Sequence, residues 1–410
     1  MKVFTHIFPT TLLLLTLIAC QSPDSTDDAL MAKAQELAHR FILADGHVDL
    51  PYRLKVENFR LEKEYLDMAL NDKGDFDYAR AKEGGLDAPF MSIYIPSDNQ
   101  KTPGRSRILA DSLIDMVVGI TQQYPDKFAL ANSPAEVEAN FQKGLISLPM
   151  GMENGAPVED DTASVQYFYD RGIRYITLTH GTDNKICDSS YDTTHTWNGL
   201  SPFGEAIVRN MNRVGIMVDI SHVSDSAFYD VLAITQAPVI ASHSSCRYYT
   251  PAFERNMNDD MIRRLAENGG VIMINFGSTF LEEELRLEYD KMSEHLTQWA
   301  AANNLTRKDS AYKVYAKAYR EKSKKQYSNV SVVADHIEHV VKLVGVDYVG
   351  LGSDFDGVGD SLPLGLKDVS DYPNLIAELL RRGFSEEDIR KVCFDNLARV
   401  WNEVERVAKH

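Results

Sequence analysis

Eight short apolar runs recur along the chain from residue 41 onward, and each ends at a polar or glycine-rich stop before an amphipathic helical stretch. Short runs this rich in Val, Ile, Leu and Met are typical of strands that are covered on both faces, as in a parallel sheet. Eight strands that alternate with helices predict an α/β fold, a (β/α)8 barrel of the TIM type. The runs span 41–45, 89–95, 145–152, 175–179, 216–220, 239–242, 271–275 and 348–352.

An open, doubly wound sheet is the main alternative for this alternation. Its dinucleotide-binding form needs a G-x-G-x-x-G turn after the first strand, whereas the sequence from residue 46 reads G-H-V-D-L-P. A chain of 410 residues is also a common length for an α/β barrel that forms one domain. We therefore expect residues 31–410 to form a single barrel.

One connection is much longer than the others. Residues 281–327, which follow the seventh run, are charged and strongly helix-favouring. We expect them to form a helical insertion of two helices outside the barrel. A solvated hairpin and a lid or oligomer contact near the barrel mouth are both compatible with this pattern.

The N-terminus has the pattern of an export signal. Lys2 precedes an apolar stretch at 12–18 that is too short to span a bilayer but has the length of a signal-peptide core. The L-I-A-C segment that ends at Cys20 resembles a bacterial lipobox, so residues 1–20 are predicted to be a lipoprotein signal peptide with Cys20 lipidated. An ordinary signal peptide that contains a cysteine is the alternative. Residues 21–30 are polar and acidic, as expected of a flexible tether.

These features predict a protein of the bacterial cell envelope that a lipid holds on the membrane, and Gln21 favours the outer membrane. The formal net charge of −17 repels nucleic acid, so no nucleic-acid partner is expected. Three cysteines would remain besides Cys20, an odd number whose spacing fits no zinc motif. We expect structural roles for them rather than a disulfide framework; they are Cys187, Cys246 and Cys393.

Polar residues stand at the ends of several runs. In a barrel these strand ends and the loops after them converge on one face, where active sites lie. A single histidine there is more often a core residue than a ligand, but four of the eleven histidines occur at such ends together with three carboxylates. The combination predicts an active site. Its residues are His47, Asp49, Glu153, His180, His222, His243 and Asp354.

The residue types in this set indicate the metal. Imidazole and carboxylate without thiolate suit zinc, with manganese, cobalt and iron as lesser candidates. One catalytic zinc that keeps an open position needs fewer than five ligands, so five ligands suit two Zn²⁺ that share a carboxylate. Two such ions would lower the pKa of a water between them and generate a nucleophile. The five are His47, Asp49, Glu153, His222 and His243.

At these residues the chain resembles the membrane (renal-type) dipeptidases, a zinc peptidase family of amidohydrolase-like barrels. Seven motifs occur in the order found in that family. They are DGHVDLP at 45–51, GMENG at 151–155, ITLTHGTDN at 176–184, DISHVS at 219–224, SHSSCR at 242–247, RNMNDD at 255–260 and GLGSDFDG at 350–357.

The resemblance implies a binuclear zinc dipeptidase that hydrolyses the peptide bond of free dipeptides with a metal-bridged hydroxide. It assigns His47 and Asp49 to the first zinc, Glu153 to the bridge, and His222 and His243 to the second zinc. A homodimer is compatible with the family, although no residue here requires one.

The resemblance also assigns three residues to the substrate. His180 would hold the scissile carbonyl oxygen, Arg255 would bind the terminal carboxylate, and Asp354 would move the proton from the attacking water to the leaving amine. A helix N-terminal arginine paired with the acidic residues at 259–260 is the alternative for Arg255. Family members have a tyrosine where we align Phe280, so one carboxylate contact would be missing here.

Two alternatives remain for the function. Another amidohydrolase of the same barrel type could act on a different small amide or ester, although such barrels often use a carboxylated lysine where this chain has Glu153. A non-enzymatic surface lipoprotein that captures peptides or metal is the second. Three further polar residues, Asp356, His336 and His339, are expected to be structural.

Overall fold

The protein is described by a computed structural model that covers residues 1–3, 23–56, 74–322 and 326–409. The strands of the described residues are β1 Leu43–Val48, β2 Leu86–Tyr94, β3 Phe128–Leu130, β4 Ile146–Leu148, β5 Met150–Glu153, β6 Ile173–Thr177, β7 Met217–Asp219, β8 Ile240–Ser244, β9 Val271–Ile274 and β10 Val349–Leu351. Eight of them form one parallel sheet in the order β1-β2-β5-β6-β7-β8-β9-β10.

Helices follow most of the strands. They are α1 Pro23–Arg40, α2 Leu50–Val56, α3 Tyr78–Gly84, α4 Arg105–Gln123, α5 Pro134–Phe141, α6 Ser164–Asp170, α7 Pro202–Val214, α8 Asp225–Ile234, α9 Asp259–Glu267, α10 Ser278–Leu281, α11 Glu283–Ala302, α12 Ser310–Lys322, α13 Val330–Val344, α14 Tyr372–Arg381, α15 Glu386–Arg390 and α16 Asn396–Ala408. The predicted (β/α)8 barrel is confirmed.

The barrel is nearly closed by contacts between its first and last strands. The Asp354 N–H donates to the His47 carbonyl oxygen at 3.1 Å, and the Asp49 N–H donates to the Phe355 carbonyl oxygen at 2.9 Å. They form an isolated parallel bridge between Val48, the last residue of β1, and Phe355, which follows β10. They bring two of the predicted site carboxylates, Asp49 and Asp354, to the same point of the rim.

Capping residues explain where the helices begin and end. Helix α7 begins after Ser201, whose hydroxyl accepts from the Gly204 N–H at 2.9 Å. It ends at Gly215, which has a φ of 95° that a residue with a side chain rarely adopts. These two caps therefore set the limits of α7 at Pro202 and Val214.

The apolar run at 145–152 is two strands rather than one. Only β5 belongs to the barrel, whereas β4 pairs with β3 in a separate two-stranded sheet that the sequence did not predict. Pro149 lies between them and has no backbone N–H to donate to a ladder. A continuous apolar run does not reveal such a break, because both pieces are buried.

The predicted flexible tether is wrong over 23–30, since α1 already begins at Pro23. Proline suits the first helical position and acidic residues suit the first turns. Asp27 lies 3.1 Å from Arg381 of α14, and the apolar face of α1 is buried at Ala34 and Leu37. Residues 4–22, which contain Cys20 and most of the predicted signal peptide, lie outside the described residues. Among the described residues no helix is long and apolar enough to cross a membrane.

The long insertion forms two main helices, α11 and α12, as predicted, preceded by the short helix α10. The rings of Trp299 and Tyr315 stack at 3.8 Å between the two helices. At the base of the hairpin the Arg286 guanidinium lies 5.5 Å from the centre of the Phe253 ring. The hairpin has a small core of its own, formed by Leu296, Ala300, Tyr312 and Ala316.

The polar residues expected to be structural have structural contacts. His336 is buried and accepts from the Cys246 N–H at 3.0 Å, while His339 lies 2.8 Å from Asp259. Asp356 lies 2.9 Å from the Nε of Arg53. Three cysteines in the described ranges are buried and unpaired: Cys187, Cys246 and Cys393.

Candidate metal centre

Seven residues predicted from the strand ends lie together at the carboxyl face of the barrel. Each comes from the end of a different strand or from the loop after it, apart from His47 and Asp49, which share β1 and its end. All but His180 are almost fully buried. They are His47, Asp49, Glu153, His180, His222, His243 and Asp354.

The carboxylate of Glu153 lies at the centre of this group. Its Oε2 is 3.4 Å from the Nε2 of His47. Its Oε1 is 3.0 Å from the Nε2 of His222 and 3.4 Å from the Nε2 of His243. The two oxygens therefore face histidines from different strands.

Three overlapping sets of potential ligand atoms each lie within 4.8 Å of one another. The sets share Glu153 or His47, so they describe neighbouring positions rather than separate sites. They are His47, Glu153 and His243; Glu153, His180 and His222; and His47, Asp49 and Asp354.

The ring of His47 is held in one orientation by Tyr175. The Tyr175 hydroxyl donates to the Gly46 carbonyl oxygen at 3.1 Å and lies 2.9 Å from the Nδ1 of His47. Because the hydroxyl hydrogen is directed to Gly46, the hydroxyl oxygen accepts the Nδ1–H of the imidazole. In the neutral ring Nε2 then carries the lone pair and faces Glu153 and Asp49, as a metal ligand must.

A serine and an aspartate hold His243 in the same way. The Ser242 hydroxyl donates to the Asp219 carboxylate at 2.6 Å and accepts from the Nδ1 of His243 at 2.7 Å. Asp219 also accepts the backbone N–H groups of Ser221 and Ser242, so its position is fixed. This arrangement leaves Nε2 of His243 as the lone-pair nitrogen.

The electrostatic environment keeps two of the histidines neutral. Burial lowers the pKa of His222 and of His243 well below the ordinary value, and the nearby positive charge of Arg255 lowers both further. Neutral imidazole is the form that binds a metal ion. The Nε2 atoms of these two rings are only 2.9 Å apart, so both are directed to one point.

The pKa of His47 is shifted in the opposite direction. Burial lowers its pKa, but Tyr175, Glu153 and Asp49 raise it to well above the ordinary value. Its Nε2 and the Oδ1 of Asp49 are buried and have no hydrogen-bond partner in the protein. Buried polar atoms are rarely left without partners, so these two atoms fit ligands of a cation. Nitrogen and carboxylate donors without sulfur fit zinc.

Asp354 is buried beside the ligands but is held by a different contact. The Asn275 side-chain N–H donates to its Oδ2 at 2.7 Å. Both Asp354 and His222 have positive φ angles, 64° and 69°, which are uncommon for residues with side chains and cluster at functional sites. Gly357 makes room for the aspartate, since a Cβ there would lie 2.1 Å from its Oδ1.

Arg255 lies at the edge of the centre and is almost fully buried. Its guanidinium donates to the Ser244 hydroxyl and to the His243 carbonyl oxygen, both at 2.7 Å, whereas its Nε is buried without a hydrogen-bond partner. Arg255 does not form the alternative ion pair with Asp259 or Asp260. Asp259 lies 2.8 Å from His339, and Asp260 accepts from the Tyr229 hydroxyl. A cation held by neutral groups remains free to bind an anion.

Sequence reasoning missed four residues that orient the site. Asp219, Ser242 and Asn275 lie at or next to the ends of apolar runs, so the rule that identified the histidines could have identified them too. Tyr175 begins an apolar run, where it is indistinguishable from a core aromatic residue.

A family model described as membrane dipeptidase (peptidase family M19) matches residues 31–410. The chain belongs to the membrane dipeptidase family. The resemblance carried by the seven motifs and the assignment as a metallo-dipeptidase of this family are both confirmed.

Several solved structures have a fold similar to that of this membrane dipeptidase. A probable dipeptidase, PvdM, from Pseudomonas aeruginosa is 26% identical over 93% of this chain and 100% of its own, with a TM-score of 0.78. A metallo peptidase from Rhodobacter sphaeroides, liganded with a phosphinate mimic of L-Ala-D-Ala, is 24% identical over 89% and 99%, with a TM-score of 0.72. An amidohydrolase from Pseudomonas aeruginosa is 22% identical over 90% and 98%, with a TM-score of 0.68. The last two show the fold alone.

The contact between Tyr175 and His47 generates a test for this membrane dipeptidase. Tyr175→Phe keeps the ring in the barrel core but removes the hydroxyl that receives the His47 Nδ1–H. We expect zinc affinity, measured by competition with a chromophoric chelator, to fall by about 10- to 100-fold. Tyr249→Phe, which changes a hydroxyl outside the site, serves as the control. Unchanged zinc affinity of Tyr175→Phe would remove the orienting role.

Proposed function

We propose that this membrane dipeptidase hydrolyses free dipeptides with two Zn²⁺. His47 and Asp49 would hold one ion, His222 and His243 would hold the other, and both ions would share the Glu153 carboxylate. The proposal rests on the surroundings of the two Glu153 carboxylate oxygens. Oε2 faces His47, whereas Oε1 faces His222 and His243. A carboxylate with ligands on both oxygens suits two ions rather than one.

When bound, the zinc ions supply a water of lowered pKa and polarise the scissile carbonyl group. Asp354 lies next to His47 and Asp49, and only its Oδ2 is bonded to Asn275, so Oδ1 is available for a proton. In the proposed reaction this carboxylate takes the proton of the attacking water and returns it to the leaving amine.

His180 is suited to the substrate rather than to a metal. Its side chain is 23% exposed, more than those of the five ligands, and its Nε2 is 3.6 Å from Glu153. Burial lowers its pKa, so the imidazole is neutral and has one N–H to donate. We assign that N–H to the scissile carbonyl oxygen, where negative charge develops in the transition state.

Arg255 completes the substrate site. Its buried and unpartnered Nε, with the adjacent terminal nitrogen, presents an edge that matches a carboxylate. A dipeptide has its terminal carboxylate only one residue beyond the scissile bond. An arginine that is fixed to the backbone carbonyl of the proposed ligand His243 therefore favours dipeptides over longer peptides.

The configuration of the second residue is open to test. The Rhodobacter sphaeroides metallo peptidase was solved with a mimic of L-Ala-D-Ala. We extend this to a proposal that the present enzyme also accepts a D residue at the second position.

We also propose that the enzyme is anchored to the bacterial envelope by a lipid on Cys20, on the basis of the L-I-A-C segment. Helix α1 then begins only three residues after that cysteine. The barrel would therefore lie close to the membrane surface rather than at the end of a long tether.

Replacement of the proposed proton carrier separates metal binding from turnover. Asp354→Asn retains the shape and the contact with Asn275, so we expect normal zinc content but a kcat that is lower by about 10²- to 10⁴-fold. Asp160→Asn, an exposed change outside the site, is the control and should alter neither quantity. A variant Asp354→Asn with near-normal kcat would contradict the assignment.

The carboxylate contact is tested by a double-mutant cycle. Amidation of the substrate's C-terminus should lower kcat/KM by about 10²-fold or more, since it removes a charge-assisted pair. Arg255→Met should cost free dipeptides a similar factor but cost amidated dipeptides much less. If Arg255→Met lowered kcat/KM by the same factor for free and for amidated dipeptides, Arg255 would not bind the carboxylate.

The lipid anchor is tested in a bacterial host. The wild-type protein should fractionate with membranes and carry a diacylglyceryl group on Cys20 by mass spectrometry. Cys20→Ser should release it into the soluble fraction. Equal membrane association of both forms would argue against the lipid.

A further inference from the structure

Three aromatic rings beside Arg255 are not used by the mechanism above. We propose that Tyr191, Phe253 and Phe280, here called the aromatic wall, form the pocket for the side chain of the substrate's C-terminal residue. The enzyme then prefers dipeptides whose second residue is large and apolar. This inference rests on the proposed dipeptidase function and on the role given there to Arg255.

The rings form a continuous row along one side of the site. The Phe280 ring centre lies 5.4 Å from the Arg255 guanidinium carbon and 5.7 Å from the Phe253 ring. The Phe253 ring lies 6.2 Å from Tyr191, and Tyr191 lies 5.9 Å from the ring of His222. The row therefore runs from the proposed carboxylate site back to a proposed zinc ligand.

The wall presents apolar surface that is not buried against the protein. The Tyr191 residue is 46% exposed, and Phe253 and Phe280 are half-buried. Apolar area that a ligand removes from water contributes favourably to binding. A substrate side chain that covers these rings would gain this energy, whereas a glycine substrate would leave them exposed.

The chemistry of a dipeptide determines which side chain reaches the wall. The side chain of the C-terminal residue is attached to the carbon next to the carboxylate. When Arg255 binds that carboxylate, the side chain must lie within a few ångströms of the guanidinium, and Phe280 is the ring nearest to that group in the wall. The N-terminal residue lies on the far side of the scissile bond and does not have this constraint.

Contacts with neighbouring side chains hold two rings of the aromatic wall in position. The Asn256 side chain donates to the Phe280 carbonyl oxygen at 2.7 Å. The Arg286 guanidinium lies over the Phe253 ring of the wall and forms an ion pair with Glu283. The helical insertion thus supports the wall. A rigid apolar pocket binds a side chain more tightly because the protein loses little conformational entropy on binding.

Charge also favours an apolar side chain. The wall itself has no charged group, and Arg286 is already neutralised by Glu283 and Asp290. An acidic or basic substrate side chain would lose hydration against the rings without gaining a partner. Charged residues at the second position should therefore be poor substrates.

The test is a series of dipeptides L-Ala-X with X as Gly, Ala, Leu, Phe or Asp, assayed with the zinc-loaded enzyme. We expect kcat/KM for Leu and Phe to exceed that for Gly by about tenfold or more. A flat series, or a preference for Gly or Asp, overturns the aromatic wall while leaving dipeptidase activity intact. Absence of hydrolysis of every dipeptide overturns the proposed function and this inference together.

Substitutions in the aromatic wall test whether its rings cause the preference at the C-terminal residue of the substrate. Phe280→Ala and Phe253→Ala should each reduce the Phe-to-Gly ratio of kcat/KM by about five- to tenfold. Tyr229→Ala, an exposed ring on the outer helix α8, is the matched control and should leave the ratio unchanged. A series X-Ala, varied at the N-terminal residue, should keep its ratios in both wall variants. Unchanged L-Ala-X ratios in folded wall variants, or equal changes in the two series, would contradict the assignment.

Discussion

The buried carboxylate of Glu153 is the interaction on which the rest of the site depends. Burial would raise its pKa, but the imidazoles of His47, His180, His222 and His243 hold that pKa well below the ordinary value. A charge in this position requires positive or polar neighbours from several strands at once. A parallel barrel is the arrangement that provides them, because its strand ends meet on one face.

The orientation of the ligands depends on a layer of contacts behind them. Tyr175 fixes the proton of His47, the pair of Ser242 and Asp219 fixes that of His243, and Asn275 holds Asp354. The left-handed backbone at His222 and Asp354 directs their side chains inward at some cost in local stability. The barrel therefore supplies both the positions of the donors and the directions of their lone pairs.

The sequence predicted the eight barrel strands and the seven polar residues that the barrel brings together, because each signal was local. A polar side chain at the end of an apolar run, such as His222 or His243, stands out in any single strand. The break at Pro149 and the helix over 23–30 depend on contacts with β3 and α14, which are distant in the sequence. The role of Tyr175 likewise arises only when its ring meets His47 from a strand far away. Such pairings leave no periodic pattern in either segment.

The central claim is that Glu153 bridges two zinc ions, and anomalous diffraction at the zinc edge from crystals of the zinc-loaded enzyme tests it most directly. The account predicts two peaks, one beside His47 and Asp49 and the other beside His222 and His243, each bound by a different oxygen of Glu153. A single peak, or a second peak that does not contact Glu153, would contradict it.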